Sequence, residues 1–592
     1  MKRPFLSAWT AALCIGLIGS LHTALGQGQE QLDAKMDALT KEVQSLRAAG
    51  VQLPLQQFKQ AQQRYESASA RGDMRTMRSI LMRIESALAD AAPKESSSPA
   101  SEPSGTPVGA SGGSFAEALE GFVNYKSGTP SADADGYIGV GYTWNNLAKY
   151  FEGVGADYAK AVLVSWGKLE PRAPLKDGKP TYTWRQLDDV VKEYQDAGFE
   201  LQMVLKSNNP WAIPATKTKD GFVAPGAGSI SALPEPKYQA AYARFIASIV
   251  ERYDGDGFKD MPGLKYPLIY WEIESEAFHE GYWRGTVEEY GEMLKIAYEA
   301  SKAASPDSKI ILAGLNFSDA FDDNPTQRQL QEKLRKMNKL AQKGLLFMRK
   351  SLTFTDYYDV IEIHYNRDYR GLPGIMNWLH SELGPIQAVK KEIWAGDTLT
   401  TPWLFTPSVH VDPPFHEETI YQAVKKRLGK DSKEATWFRA EQARLMVKKL
   451  VIGAEQGLKK NILLMMKDRP QGEETPVDKN WMIGGLIDRS MKPRPAFYAL
   501  EQISPYLKDF SKVSRVRHGD RNTYIYKIEY SDGRPEAIVA WSESKKASIP
   551  ASQLPQGAMV TEINTSWKPD LSSKSVGSEP LALSHTPIVI SK

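Results

Sequence analysis

Leu268-Ile269-Tyr270-Trp271-Glu272-Ile273-Glu274-Ser275-Glu276 is the stretch whose reading decides the fold. Its first six residues are aromatic, β-branched or leucine except for one glutamate, which suits a short buried strand. The residues that follow turn acidic, as the end of such a strand does when it opens onto a polar site. Seven further segments of the same kind lie around it: Tyr137–Tyr142, Ala161–Ser165, Leu201–Leu205, Ile310–Ala313, Val360–His364, Ile393–Ala395 and Ile462–Met466. Stretches with helical periodicity separate most of them, for example Trp184–Ala197, Tyr238–Tyr253 and Val287–Ala304, and Pro495–Ile503 reads as the last helix. Eight strands alternating with helices predict an α/β fold, a (β/α)8 TIM barrel over residues 115–506 with insertions.

The flanking regions read differently. Residues 1–26 carry Lys2 and Arg3, an apolar run from Phe5 to Leu21, and Ala24-Leu25-Gly26 before Gln27. That is the pattern of a cleaved signal peptide, so a periplasmic or secreted protein is expected, with no membrane span in the mature chain. Residues 27–92 repeat apolar positions at helical spacing: Leu32, Met36, Leu39, Val43 and Leu46, then Phe58, Ala61, Tyr65 and Ala68, then Met77, Ile80, Leu81, Ile84 and Leu88. This helical, coiled-coil-like segment is either a small bundle with its own core or a module for self-association or a protein partner. Residues 93–114 are rich in Pro, Ser and Gly and predict a disordered linker. Residues 507–592 lack helical periodicity; Thr523–Glu529, Ala537–Trp541, Met559–Ile563 and Pro587–Ile590 read as strands of a small β-sandwich domain.

Composition excludes several classes of function. The 592 residues carry a formal net charge of +3, which offers no case for nucleic acid as a partner. Cys14, the single cysteine, lies in the signal segment, which leaves no disulfide, no thiolate metal site and no cysteine nucleophile. No cofactor is called for. His410 and His416 lack a third ligand for zinc, and no second acidic cluster with loop-like ligand spacing accompanies Glu272, Glu274 and Glu276.

Active sites of these barrels lie at the carboxyl ends of the strands. Glu276 follows the fourth strand. Asp397, ending Ile393-Trp394-Ala395-Gly396-Asp397, follows the seventh. Two carboxylates at one barrel mouth are the equipment for cleaving a glycosidic bond: about 5–5.5 Å apart for retention, about 6.5–9.5 Å for inversion. By the strand period of two, Glu272, Glu274 and Glu276 should share one face. Inward acids of that kind call for lysine or arginine partners. Trp166, Trp211 and Tyr142 near strand ends could stack on sugar rings, or could be core. Asn208, Asn209 and His364 offer polar contacts, and Trp403 lies in a long aromatic loop after Asp397.

Several segments in order resemble family 39 of the retaining glycoside hydrolases, members of the large clan with catalytic glutamates on strands four and seven. They are Lys168-Leu169-Glu170-Pro171, Tyr182-Thr183-Trp184 with Leu187-Asp188, Asn209-Pro210-Trp211-Ala212, Tyr242-Ala243-Arg244-Phe245, Asp359-Val360-Ile361-Glu362-Ile363-His364-Tyr365 and Glu441-Gln442-Ala443. The resemblance spans about 130–590. It implies a glycosidase acting on a carbohydrate, with Glu276 as acid/base and Asp397 at the nucleophile position. His364 and Tyr365 would line the cleft, and Tyr365 would orient the nucleophile.

The chain departs from the family pattern at four places. Ser275 replaces the asparagine that binds the sugar 2-hydroxyl, Ala277 replaces a proline, and Asp397 replaces a glutamate. Met465-Met466-Lys467-Asp468 stands where relatives carry a cleft tryptophan. The shorter Asp397 leaves three outcomes: retention with a shifted strand, inversion through water, or no hydrolysis. In the last case the chain is a carbohydrate-binding barrel or a scaffold for envelope or exopolysaccharide assembly.

Overall fold

The computed structural model describes part of the stretch between Asp33 and Ile84, and residues 115–592 apart from short segments, the longest being 123–135, 403–413 and 469–482. Residues 1–26, read as a signal peptide, residues 93–114, read as a linker, and Trp403 and His410 lie outside the described residues.

The chain forms two compact units, Met1–Pro107 and Val108–Lys592. In the first, the three helical stripes meet: Met36, Leu39 and Val43 pack with Tyr65 and with Met77, Ile80, Leu81 and Ile84 in one apolar cluster. Tyr65 Oη donates to Asp33 at 3.0 Å. These stripes bury one another, which is how short helices gain the stability they lack alone.

In the second unit, eight parallel strands close into a barrel: β1 (Ile138–Thr143), β2 (Tyr158–Ala161), β3 (Glu200–Lys206), β4 (Tyr270–Ile273), β5 (Lys309–Asn316), β6 (Val360–Tyr365), β7 (Glu392–Leu399) and β8 (Asn461–Leu464). Pairing of Ile138, Gly139 and Val140 with Asn461, Ile462 and Leu463 completes the ring. The helices between strands start where the sequence says they should. Val287–Ala304 opens on a capping box of Thr286 and Glu289, and Pro236–Arg252 begins on proline.

One strand differs from expectation. The segment Ala161–Ser165 holds only the end of β2, and Val164–Ser165 is a separate short pairing with Leu205 and Lys206. The barrel strand is Tyr158-Ala159-Lys160-Ala161, in which a buried lysine masks the apolar signal.

The barrel interior is layered. Near the amino ends of the strands, Tyr158, Ile311, Val360, Trp394 and Ile462 form an apolar layer with Tyr270 packed on it. Above it the usual branched aliphatic filling gives way to Lys160, Gln202, Glu272 and Glu362, all at most 5% exposed. A six-stranded antiparallel sheet follows the barrel: β9 (Phe510–Arg515), β10 (Thr523–Tyr530), β11 (Ala537–Ser542), β12 (Met559–Glu562), β13 (Ser573–Ser575) and β14 (Ile588–Ser591), in the order β9-β10-β11-β14-β12-β13. A two-stranded pair, Ser548–Ile549 with Leu581–Ala582, packs over it through Ile549, Leu583, Ile588 and Ile590 to make the sandwich. The sandwich meets the barrel at Tyr369, whose ring lies edge-on to Tyr524 and Trp541 and whose hydroxyl donates to Glu543 at 2.8 Å.

Candidate active site

Strand alternation decides which residues reach the barrel interior. Along β6, Val360, Glu362 and His364 point in, while Ile361, Ile363 and Tyr365 join the layer between barrel and helices. Along β4, Tyr270 and Glu272 point in and Trp271 and Ile273 out.

Beyond Ile273 the alternation ends. Glu274 and Glu276 both adopt left-handed backbone, with φ of 66° and 47°. Glu274 therefore does not join Glu272 and Glu276 on one face. It turns to Lys206, with which it forms an ion pair, and accepts from the Ser207 amide at 2.7 Å.

Asp397 owes its place to a β-bulge. The β6–β7 register runs Ala395 opposite Ile363, then Asp397 opposite His364, so Gly396 is the extra residue. A bulge re-aims the side chain after it, and here it aims the short aspartate at the histidine. A Cβ at Gly396 would collide with the Glu362 carboxyl, and one at Gly314 with the His364 ring. Glycine at these two positions makes room for the polar layer.

The His364 imidazole stands between the two carboxylates. Its Nδ1 is 2.7 Å from Glu276 Oε1, and its Nε2 is 3.7 Å from Asp397 Oδ2 and 3.5 Å from Glu362 Oε1. With one imidazole ring between them, the two carboxylates are at most about 9 Å apart. Asn316 Nδ2 donates to the same Glu276 oxygen at 2.9 Å. Lys160 lies 2.9 Å from Glu272 and 3.5 Å from Asp397 and forms a tight ion pair with Glu362. Gln202 Nε2 donates to Glu272 at 3.0 Å and to Glu362 at 2.7 Å.

The electrostatics follow from this arrangement. Burial works against charge on His364 and Lys160, but surrounding carboxylates, Asp397 foremost, overrule it and hold both well above their ordinary values. Burial alone would raise Glu276 and Glu362. The hydrogen bond from His364 instead holds Glu276 low, and Lys160 and His364 hold Glu362 low. Glu272 is pushed up by burial and by the charge of Glu362. Both shifts run in the direction that favours an ionised Glu276 beside an imidazolium.

The other expected residues divide. Ser275 is half-buried next to Glu276, and Tyr142 packs at the mouth against Leu399, Leu464 and Met465. Asn208 is buried. Trp211 is half-buried, edge-on to Trp166 and Tyr238. Three expectations of a cleft role fail. Trp166 is fully buried, stacked on Phe245 and bonded to Glu170, so no sugar reaches its face. Asn209 is fully buried and donates to the Glu170 carbonyl at 3.0 Å. Tyr365 faces outward from the barrel, its hydroxyl donating to the Tyr369 carbonyl at 2.9 Å. Asp468 at the end of β8 is clamped by both terminal nitrogens of Arg494 at 2.6 Å.

Sequence reasoning missed Lys160, Gln202, Glu362 and Asn316. Glu362 was detectable, since it shares the period-two face of His364. Also missed was an acidic loop: the carboxylates of Asp254, Asp256 and Asp260 lie within 4.8 Å of one another.

No family model and no curated protein matches this chain. Solved structures do. A family 39 glycoside hydrolase from the gut symbiont Bacteroides cellulosilyticus WH2 superposes with a TM-score of 0.51 at 13% identity, over 77% of this chain and 80% of that one. A glucosidase from Croceicoccus marinus reaches 0.47 at 12% identity, covering 79% and 97%. A monomeric beta-xylosidase from Caulobacter crescentus CB15 reaches 0.46 at 12%, covering 79% and 98%. The likeness to the Bacteroides structure, together with the closed ring of eight parallel strands, shows that the chain has a family 39-like (β/α)8 fold.

Proposed function

We propose that this protein is an exported glycoside hydrolase, periplasmic or secreted, that cleaves O-glycosidic bonds in an oligo- or polysaccharide by a retaining, two-carboxylate mechanism. The observation that carries the reading is the meeting of Glu276 and Asp397, from the carboxyl ends of β4 and β7, on opposite nitrogens of His364. Asp397 acts as nucleophile and Glu276 as acid/base. The fold is one that supports such chemistry, and among the described residues no helix is long and apolar enough to cross a membrane.

The proton is the instructive part. A general acid must carry one, and Glu276 in the free site does not. Its proton is stored one hydrogen bond away, on His364 Nδ1. Substrate binding that excludes water from the mouth favours the neutral pair over the charged one, because charge separation costs more in a dry site. The proton then crosses to Glu276 and on to the leaving oxygen, while Asp397 attacks the anomeric carbon. In the second step Glu276 takes a proton from a water whose oxygen bonds the anomeric carbon as the bond to Asp397 breaks; Asp397 leaves as the carboxylate, and the proton on Glu276 returns to His364.

The test is reducing-end release from a panel of polysaccharides by wild type, Glu276→Gln and Asp397→Asn. Release by wild type and a loss of at least about a thousandfold in each variant is expected, since each removes one half of the mechanism. One observation favours a second reading: His364 fills the gap between the carboxylates and keeps Glu276 ionised. Under that reading the barrel binds glycan without turnover, and wild type would bind panel members while releasing nothing.

A further inference from the structure

A second acidic group lies where the helix Pro236–Arg252 hands over to the segment leading into β4. The sequence there is Glu251-Arg252-Tyr253-Asp254-Gly255-Asp256-Gly257-Phe258-Lys259-Asp260. Three aspartates bring their oxygens within 4.8 Å of one another. The loop holds them there: Asp260 accepts from the amides of Gly255 at 3.1 Å and Gly257 at 2.7 Å, and Asp256 accepts from Phe258 at 2.7 Å. Gly255 and Gly257 take φ of 71° and 96°, which lets the chain fold so tightly.

A cluster of aspartates alone would be unremarked. What sets this one apart is Glu251, 1% exposed, with neither carboxylate oxygen hydrogen-bonded. Asp254 is fully buried and its Oδ2 is also without a partner. Glu251 lies close enough to Asp256 and Asp260 to feel their charges, and Asp254 feels both Asp256 and Glu251.

Among the described residues, the nearby cations do not answer the cluster. Arg252 is committed to Asp188, at 2.9 and 2.6 Å. The Lys259 ammonium acts on Glu251 only through space and sits over the rings of Phe122 and Phe258. Buried carboxylate oxygens without donors are costly unless a cation takes them up.

We propose that Asp254, Asp256 and Asp260 bind a calcium ion, the unbonded Oδ2 of buried Asp254 among its ligands, beside the buried Glu251. The donors are all hard carboxylate oxygens, with no nitrogen or sulfur, which selects calcium or magnesium over transition metals. A flexible loop offering several carboxylates suits calcium's variable shell of 6–8 oxygens better than magnesium's strict octahedron. Carbonyl or water oxygens complete the shell. The site's role is structural. The loop returns to the helix end through Met261 N to Arg252 O at 2.8 Å and Leu268 N to Tyr253 O at 2.7 Å, and so fixes the entry to β4. It lies at the amino end of that strand, the side of such barrels that serves stability rather than catalysis. The inference does not depend on the proposed hydrolase activity.

Equilibrium dialysis of the full-length protein against calcium chloride, with thermal melts in calcium and in EDTA, tests it. One calcium per wild-type chain is expected, with a midpoint about 3 °C higher in calcium at a hundred times Kd than in EDTA. The Asp254→Asn, Asp256→Asn double variant, in which each side chain keeps the oxygen that accepts a backbone amide, should lose both the bound ion and the EDTA sensitivity. Wild type that binds no calcium and melts identically in EDTA overturns the proposal, whatever the variant does. A cooperatively folded variant that binds calcium as wild type does also overturns it.

Discussion

Two gatherings of acid stand on either side of β4, and they are handled in opposite ways. In the barrel interior and at its mouth, Glu272, Glu276, Glu362 and Asp397 surround Lys160 and His364, and every one of those carboxylates lies within 4 Å of a cation. Before β4, Asp254, Asp256 and Asp260 face one another, and oxygens of Asp254 and of the nearby buried Glu251 are left unbonded. The chain supplies the countercharge itself at the mouth and leaves it to solution at the other end. The difference separates a site built to move protons from one built to hold an ion. A resident lysine at the mouth also competes with any metal for Glu272 and Glu362.

The sharpest way to break the contrast is to remove the internal countercharge. Lys160→Met leaves Glu272, Glu362 and Asp397 facing one another in the interior, and breaking a buried pair this way costs about 3–5 kcal/mol. Urea unfolding should register that loss. If Lys160→Met is as stable as wild type, the polar layer is hydrated and the comparison falls.

His364→Gln probes the proton rather than the packing. His364 has a raised folded pKa, so its stabilising contribution is complete below about 6.5 and fades as pH rises through the folded value. Glu276 has a depressed one, so its contribution is complete above its ordinary value of 4.5 and fades as pH falls through the folded value. The stability gap between wild type and variant should therefore be widest between those two ordinary values. It should close toward strong acid, and toward alkaline pH beyond the raised His364 value. A gap independent of pH would mean the ring only fills space. On activity, the variant should lose the alkaline limb that His364 sets in the wild-type pH profile of kcat/KM. The smallest effect belongs to the other cluster, where the double asparagine variant should shift the melting midpoint by only a few degrees.

The barrel was legible in the sequence because its strands are short apolar runs set between amphipathic helices. It was least legible at β2, where Lys160 interrupts Tyr158-Ala159-Lys160-Ala161. Glu276 and Asp397 could be picked out because motif and strand end coincide. Their partners could not, because Lys160 and Glu362 are 202 residues apart and only closure of the ring joins them. Tyr365 and Glu274 teach opposite lessons about the period of two. Counting from His364 would have placed Tyr365 outside the barrel. Counting from Glu272 misplaces Glu274, because left-handed backbone ends the strand first. The aspartates after Tyr253 were missed in the sequence, and the unbonded oxygens of Glu251 and Asp254 appear only once the fold buries them.

The central claim is that Asp397 is a glycosyl nucleophile served by Glu276. Glu276→Gln cannot supply a base for the second step, so with 2,4-dinitrophenyl glycosides, whose leaving group needs no acid, it should accumulate a covalent intermediate. Intact-mass and peptide mass spectrometry after incubation with a panel of such glycosides reads this directly. The account predicts one added glycosyl group, mapped to Asp397 and absent from Glu276→Gln, Asp397→Asn. An adduct on another residue, or none from a sugar that wild type hydrolyses, would contradict it.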